Sequence, residues 1–228
     1  MKIERLFESY EKEINLKPGI DKVFEDSDME NKFKQLDFGF FPIGSGVLIE
    51  GKSKINIAEI ESCEILVLGN DWGTLEDFNE IKEKNPDMVK RFSNPTIRNL
   101  LSGGLDLKRE TTFFSNLFMG LRKEGTLTKR KIELKEDFKN VCFDFLKIQL
   151  DFMSPKIVLC LGKEVMSSLS KKCKPVFGDF NFKNNKIETK DKFCGTRKFI
   201  GIKHPSMANS NWKPFEKYVE EIKDLIKD

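Results

Sequence analysis

Glu64-Ile65-Leu66-Val67-Leu68-Gly69-Asn70-Asp71 is a short apolar run that breaks at a glycine and passes into polar residues. Four apolar residues in succession, with no alternation and too few for a helical stripe, read as a strand buried on both faces, as in a parallel sheet. The pattern returns along the chain. Thr112-Phe113-Phe114-Ser115-Asn116 is a second strand. Lys156-Ile157-Val158-Leu159-Cys160-Leu161, opened by Pro155 and closed by Gly162, is a third. Lys198-Phe199-Ile200-Gly201-Ile202 ends in the turn His204-Pro205-Ser206 and is the fourth. Between the strands the apolar residues take helical spacing. Phe138, Val141, Cys142, Phe145, Ile148 and Phe152 lie on one side of a helix over 134–152, and shorter helices are predicted over 74–84, 95–103, 163–170 and 211–227. Residues 176–203 read as a hairpin or small excursion that finishes in the fourth strand. The alternation predicts a three-layer α/β/α sandwich around a central, mostly parallel four-stranded sheet.

Upstream, Ile3, Leu6, Phe7, Tyr10 and Ile14 predict a helix over 2–15 that Lys17-Pro18-Gly19 stops. Val47-Leu48-Ile49 is a short strand candidate. The expected organisation is an N-terminal extension, 1–62, packed on a domain formed by 63–228. The chain of 228 residues is 39% hydrophobic, enough for a sizeable core. Its net charge of +3 does not by itself announce nucleic acid; basic residues would have to cluster on one face. The five cysteines, at 63, 142, 160, 173 and 194, form no C-x-x-C pair, which argues against a disulfide framework and a zinc ribbon. Reduced thiols, a charged N-terminus without an apolar signal core and no membrane-spanning run point to a cytoplasmic protein that acts without a membrane. It is expected to be a monomer.

In a parallel sheet the turns after the four strands share one edge, where α/β folds bind their ligands. These turns are Gly69-Asn70-Asp71-Trp72-Gly73, Ser115-Asn116-Leu117-Phe118-Met119-Gly120, Leu161-Gly162-Lys163 and His204-Pro205-Ser206. They would bring a carboxylate, a carboxamide and the chain's single imidazole into one cleft. No serine or cysteine nucleophile with a paired base is among them, and neither phosphate-binding glycine pattern appears.

Taken in order, the four segments resemble the uracil-DNA glycosylase superfamily, over residues 63 to about 226. That family has a strand ending in a Gly-x-Asp type of turn, a strand ending in asparagine, a Pro-Lys-strand-Leu-Gly segment and a His-Pro-Ser turn before a last helix. Here these are Gly69-Asn70-Asp71, Asn116, Pro155 to Gly162 and His204-Pro205-Ser206. The resemblance implies a monofunctional DNA glycosylase of base excision repair that flips a uracil or another deaminated or damaged base out of DNA and hydrolyses its N-glycosidic bond. It implies no cofactor. Asp71 would stabilise an oxocarbenium-like sugar and orient water, as carboxylates do in glycoside hydrolysis. His204 would donate to the departing base, and Asn116 would pair with the uracil edge. Gly69, Asn70 and Trp72 belong to the first motif. Phe92, or after it Phe78, would wall the base. Met207 would wedge DNA, and Ser206, Lys203 and Arg122 would touch phosphates, unless Arg122 caps its own turn.

The chain departs from the family at several places. Trp72 stands where proline is usual, Gly73 replaces the tyrosine of the most active branch, and 74–91 is longer and more charged. No cysteine follows Asn116 closely, so a divergent branch without an iron-sulfur cluster is expected. Plainer readings stay open: Asp71 as a helix cap (although Thr74 is the better one), Asn116 as a turn residue, His204 as a turn histidine and the phenylalanines as core. So do two other functions, a non-catalytic module that binds nucleic acid or nucleotide, and a hydrolase of a free nucleoside or nucleotide.

Overall fold

The structure, a computed structural model, describes residues 4–27, 29–30, 63–71, 73–76, 79, 100, 105, 107, 111–123, 134–172, 186–191, 195–202, 204, 223, 224 and 226. The central strands are β2 (Ile65–Gly69), β3 (Thr112–Asn116), β5 (Ile157–Leu161) and β7 (Gly195–Ile202), with β6 (Lys186–Asp191) at one edge. Their order is β3-β2-β5-β7-β6. The first four run parallel, in the register Gly69↔Asn116, Leu68↔Cys160 and Leu161↔Ile202 at their C-terminal ends. The mostly parallel four-stranded sheet expected from the sequence is therefore present. The hairpin within 176–203 adds a fifth strand, β6, antiparallel to β7.

The strands read as continuous apolar runs because both faces of the sheet are covered. Leu66, Leu68, Phe113, Val158, Cys160 and Phe199 enter one core. Their alternates Ile65, Val67, Phe114, Ile157, Leu159, Leu161, Ile200 and Ile202 enter a second. Helices α3 (Glu136–Met153) and α4 (Lys163–Lys172) pack into the first core through residues such as Phe145, Leu146, Val165 and Met166. Leu100, Leu105 and Leu107 pack into the second, with Ile226 against it. Right-handed crossovers require this split. The connection from β2 runs outward to β3, whereas those from β3 to β5 and from β5 to β7 run the other way. The reversal opens a crevice between the ends of β2 and β5, the usual ligand position in such sheets.

The N-terminal helix is α1 (Glu4–Tyr10), which continues as a π-helical turn, Glu11–Asn15, before Lys17-Pro18-Gly19. Helix α2 (Ile20–Glu25) follows, and then a two-residue strand, β1 (Met29–Glu30). Leu6, Ile14, Ile20, Phe24 and Met29 share the first core with α3, and Phe24 meets Phe138 edge-to-face at 5.1 Å between ring centroids. Strand β1 pairs antiparallel with β4 (Leu121–Arg122), which lies just beyond β3. Helical residues occur at 75, 76, 79, 100, 223, 224 and 226, within segments read as helices from the sequence. The strand candidate Val47-Leu48-Ile49 lies outside the described residues. Among the described residues, no helix is long and apolar enough to cross a membrane.

Candidate functional site

The site begins at the end of β2. Beyond Gly69 the backbone stays alongside the chain that leaves β3: the Leu117 N–H donates to the Gly69 carbonyl and the Phe118 N–H to the Asn70 carbonyl, both at 2.8 Å. The Arg122 N–H then donates to the Gly73 carbonyl at 3.0 Å. Asp71 is thereby held in a turn stitched to its neighbour. Its Oδ1 accepts from the Gly73 N–H at 2.9 Å, and its Oδ2 accepts from Asn70 Nδ2 at 2.9 Å. The guanidinium of Arg122 lies 3.5 Å from the same Oδ1, with the Arg122 and Asp71 side chains only 7% and 8% exposed.

Asn116, the last residue of β3, is buried, and it faces Gly69 across the ladder. A Cβ at position 69 would overlap Asn116 Oδ1, so a glycine there gives the carboxamide its place. A second glycine follows the end of β5, required by its backbone rather than by a lack of space. Gly162 has φ +95°, a conformation that glycine adopts without steric cost, and its N–H donates to the Ile202 carbonyl at 2.8 Å. A Cβ there would sit 3.7 Å from the Cβ of His204 and 3.5 Å from Glu164 Oε2.

His204 is half-buried just beyond β7. Burial pushes its pKa below the ordinary 6.5, against a weaker pull upward from the Asp71 and Glu164 charges. The imidazole is thus kept neutral near pH 7, and the Asp71 carboxylate is close enough to act on it. The structure brings Asp71, Asn70, Gly69, Asn116 and His204 to one edge of the sheet. Glu164, in the first turn of α4, joins them and was not among the residues singled out from the sequence. An acidic residue there is ordinarily explained by the helix dipole alone, so no local signal marked it.

Arg122 calls for a correction. As a phosphate contact it would have to face solvent, yet it is 6% exposed and its guanidinium lies against Asp71. The other expectation, that it caps the turn, is nearer to this geometry. Trp72, Phe78, Phe92, Lys203, Ser206 and Met207 lie outside the described residues.

A search among curated proteins found none that matches the chain. The sequence model of the Uracil DNA glycosylase superfamily matches residues 80–226, a span that holds Asn116, Arg122, Glu164 and His204 and begins after the Asp71 turn. With that match over more than half of its length, and with the parallel sheet whose strand ends carry these groups, the chain belongs to the uracil DNA glycosylase superfamily.

Proposed function

We propose that the protein is a monofunctional DNA glycosylase that hydrolyses the N-glycosidic bond of uracil or of another deaminated or damaged base in DNA. Membership of the superfamily supports glycosylase chemistry in general. The observation that carries the finer reading is that Asp71, beyond the end of β2, and His204, just beyond β7, lie close enough for the carboxylate charge to act on the imidazole.

Breaking the bond leaves cationic character on the sugar and negative charge on the departing base. A fixed carboxylate suits the first and a neutral N–H donor the second. Asp71 carries out the first task and orients the attacking water. The His204 imidazole, kept neutral by burial, donates to the base as it leaves. The Asn116 carboxamide offers an acceptor and a donor to the uracil edge, a pattern that cytosine mismatches. DNA is the partner, and the base leaves the duplex to enter the crevice.

The test is a gel assay for alkali-labile sites on oligonucleotides carrying uracil, hypoxanthine, xanthine or hydroxymethyluracil. Wild type should generate abasic product from at least one of them. Asp71→Asn should cut the single-turnover rate far more than it weakens DNA binding. Equal losses in rate and binding would make Asp71 a structural residue. One observation favours a second reading, a module that binds without cleaving: both Asp71 oxygens already accept hydrogen bonds within the turn. That reading requires tight DNA association with no abasic product.

A further inference from the structure

We infer that Arg122 is the positioning residue of Asp71, a buried cation that fixes the carboxylate at the sheet edge where the proposed reaction needs it. The inference rests on the glycosylase reading and adds to it a residue that would not touch the substrate.

Among the residues whose burial is described, Arg122 is the one buried lysine or arginine. Burying a guanidinium is costly unless its charge is matched, and a matched buried pair often stabilises a protein no better than apolar side chains of similar size. Packing alone therefore accounts poorly for an arginine at this position. Its backbone is fixed from several sides. The Arg122 N–H bonds to the Gly73 carbonyl, residue 122 forms a parallel bridge with Thr74, and β1 pairs with it through Met29↔Arg122. The strand that presents Arg122 is thus clamped between the Asp71 turn and the N-terminal segment.

The contact is also directional. Arg122 approaches Oδ1, the oxygen that accepts the Gly73 N–H, while Asn70 holds Oδ2. The Gly73 N–H and Asn70 Nδ2 orient the carboxylate, and the buried Arg122 charge beside Oδ1 anchors it in place. A reacting group displaced by about 1 Å can lose on the order of a hundredfold in rate. A residue that anchors this carboxylate should therefore matter to the rate more than to DNA affinity.

The experiment is a double-mutant cycle on the full-length chain. It reads single-turnover excision, DNA affinity and melting temperature, using whichever of the four oligonucleotides wild type cleaves fastest. Arg122→Met should slow excision by about ten- to a hundredfold and leave affinity within about twofold of wild type. Arg122→Lys, which keeps the charge and loses the planar fork, should recover part of the rate. In the Asp71→Asn background, Arg122→Met should cost nothing further, because the carboxylate through which it acts is gone. Full activity in Arg122→Met overturns the inference, and so does a loss that multiplies with that of Asp71→Asn. If the Met variant does not fold, the Lys variant takes its place in the cycle under the same criterion. A wild type that cleaves none of the four oligonucleotides refutes the glycosylase reading, and the role of Arg122 falls with it. An active wild type with multiplicative losses refutes the role of Arg122 alone.

Discussion

Gly69→Ala separates the proposed reading of the base from the packing of the sheet. The added methyl would overlap Asn116 Oδ1, while its next neighbours, Asn116 Cγ at 3.5 Å and the Ser115 carbonyl oxygen at 3.7 Å, are at ordinary contact distance. Gly69 is not among the glycines with positive φ, so alanine brings no backbone strain there. Only the end of one side chain has to move. Turning a side chain some 30° from its preferred rotamer costs about 0.5–1.5 kcal/mol. In a protein of this size, 1 kcal/mol shifts the melting temperature by about 2–4 °C. The variant should therefore stay folded and melt only a few degrees lower. If the carboxamide reads the flipped base, its displacement should slow uracil excision by about a hundredfold, as expected of a misplaced reacting partner, and narrow the margin between uracil and cytosine. Calorimetry and single-turnover kinetics on matched oligonucleotides measure the two effects. An unchanged rate with a slightly lowered melting temperature would refute the role of Asn116 in base reading. A collapse in stability would refute the claim that only the carboxamide must move.

His204→Leu should lower the excision rate by two to three powers of ten, about the effect of losing one preorganised donor, with the fold retained at pH 7.5; full activity in the variant would reject the assignment. The fold disfavours the imidazolium, so the unfolded chain binds the extra proton first. Stability should thus hold above about pH 6.5 and fall as the pH drops below it, a loss that His204→Gln should reduce and that melting curves between pH 5 and 7.5 would detect. Burial pushes the Cys63 and Cys142 thiols up to about 12 and raises Cys160 as well, so these three should react with a thiol reagent only on unfolding; rapid labelling of any of them in the native state would show the core to be open. DNA affinity should fall steeply between low and physiological salt, since a grip on the duplex comes from phosphate contacts; a flat response would favour a small free substrate.

The four parallel strands were legible because each is a short buried run ended by glycine or a polar residue, a pattern that burial on both faces enforces. The outer strand β6 was harder to see. Its sequence, Lys-Ile-Glu-Thr-Lys-Asp, is mostly polar, as suits an edge strand, and it read only as part of a hairpin. Strand β1 has two residues, too few to carry a period. Asp71, Asn116 and His204 could be picked out because strand ends are readable and the sheet gathers them on one edge. The pairing of Arg122 with Asp71 and the place of Glu164 were not legible for a common reason: their partners are remote in sequence. Nothing local says that residue 122 will meet residue 71 across the end of β3, or that the first turn of α4 will face the segment after β7.

The two glycines that end β2 and β5 explain how a tightly packed sheet can carry a polar site at all. In neither case does the glycine-ended strand supply the polar side chain nearest its own tip. The space above Gly69 is taken by Asn116 from β3, whereas His204, just beyond β7, and Glu164 from α4 lie at ordinary contact distance from where a side chain at 162 would begin. Any larger residue at position 69 would displace the neighbouring carboxamide, and any other residue at 162 would have to adopt a left-handed conformation that L side chains resist. The glycines that mark the strand ends in the sequence thus also mark the cleft. They let side chains from adjacent strands converge on the crevice between β2 and β5, while the apolar runs beneath keep the platform dry and fixed. The buried Arg122–Asp71 pair fits the same plan, because a charge set above a dry platform needs an internal counter-charge to keep its orientation.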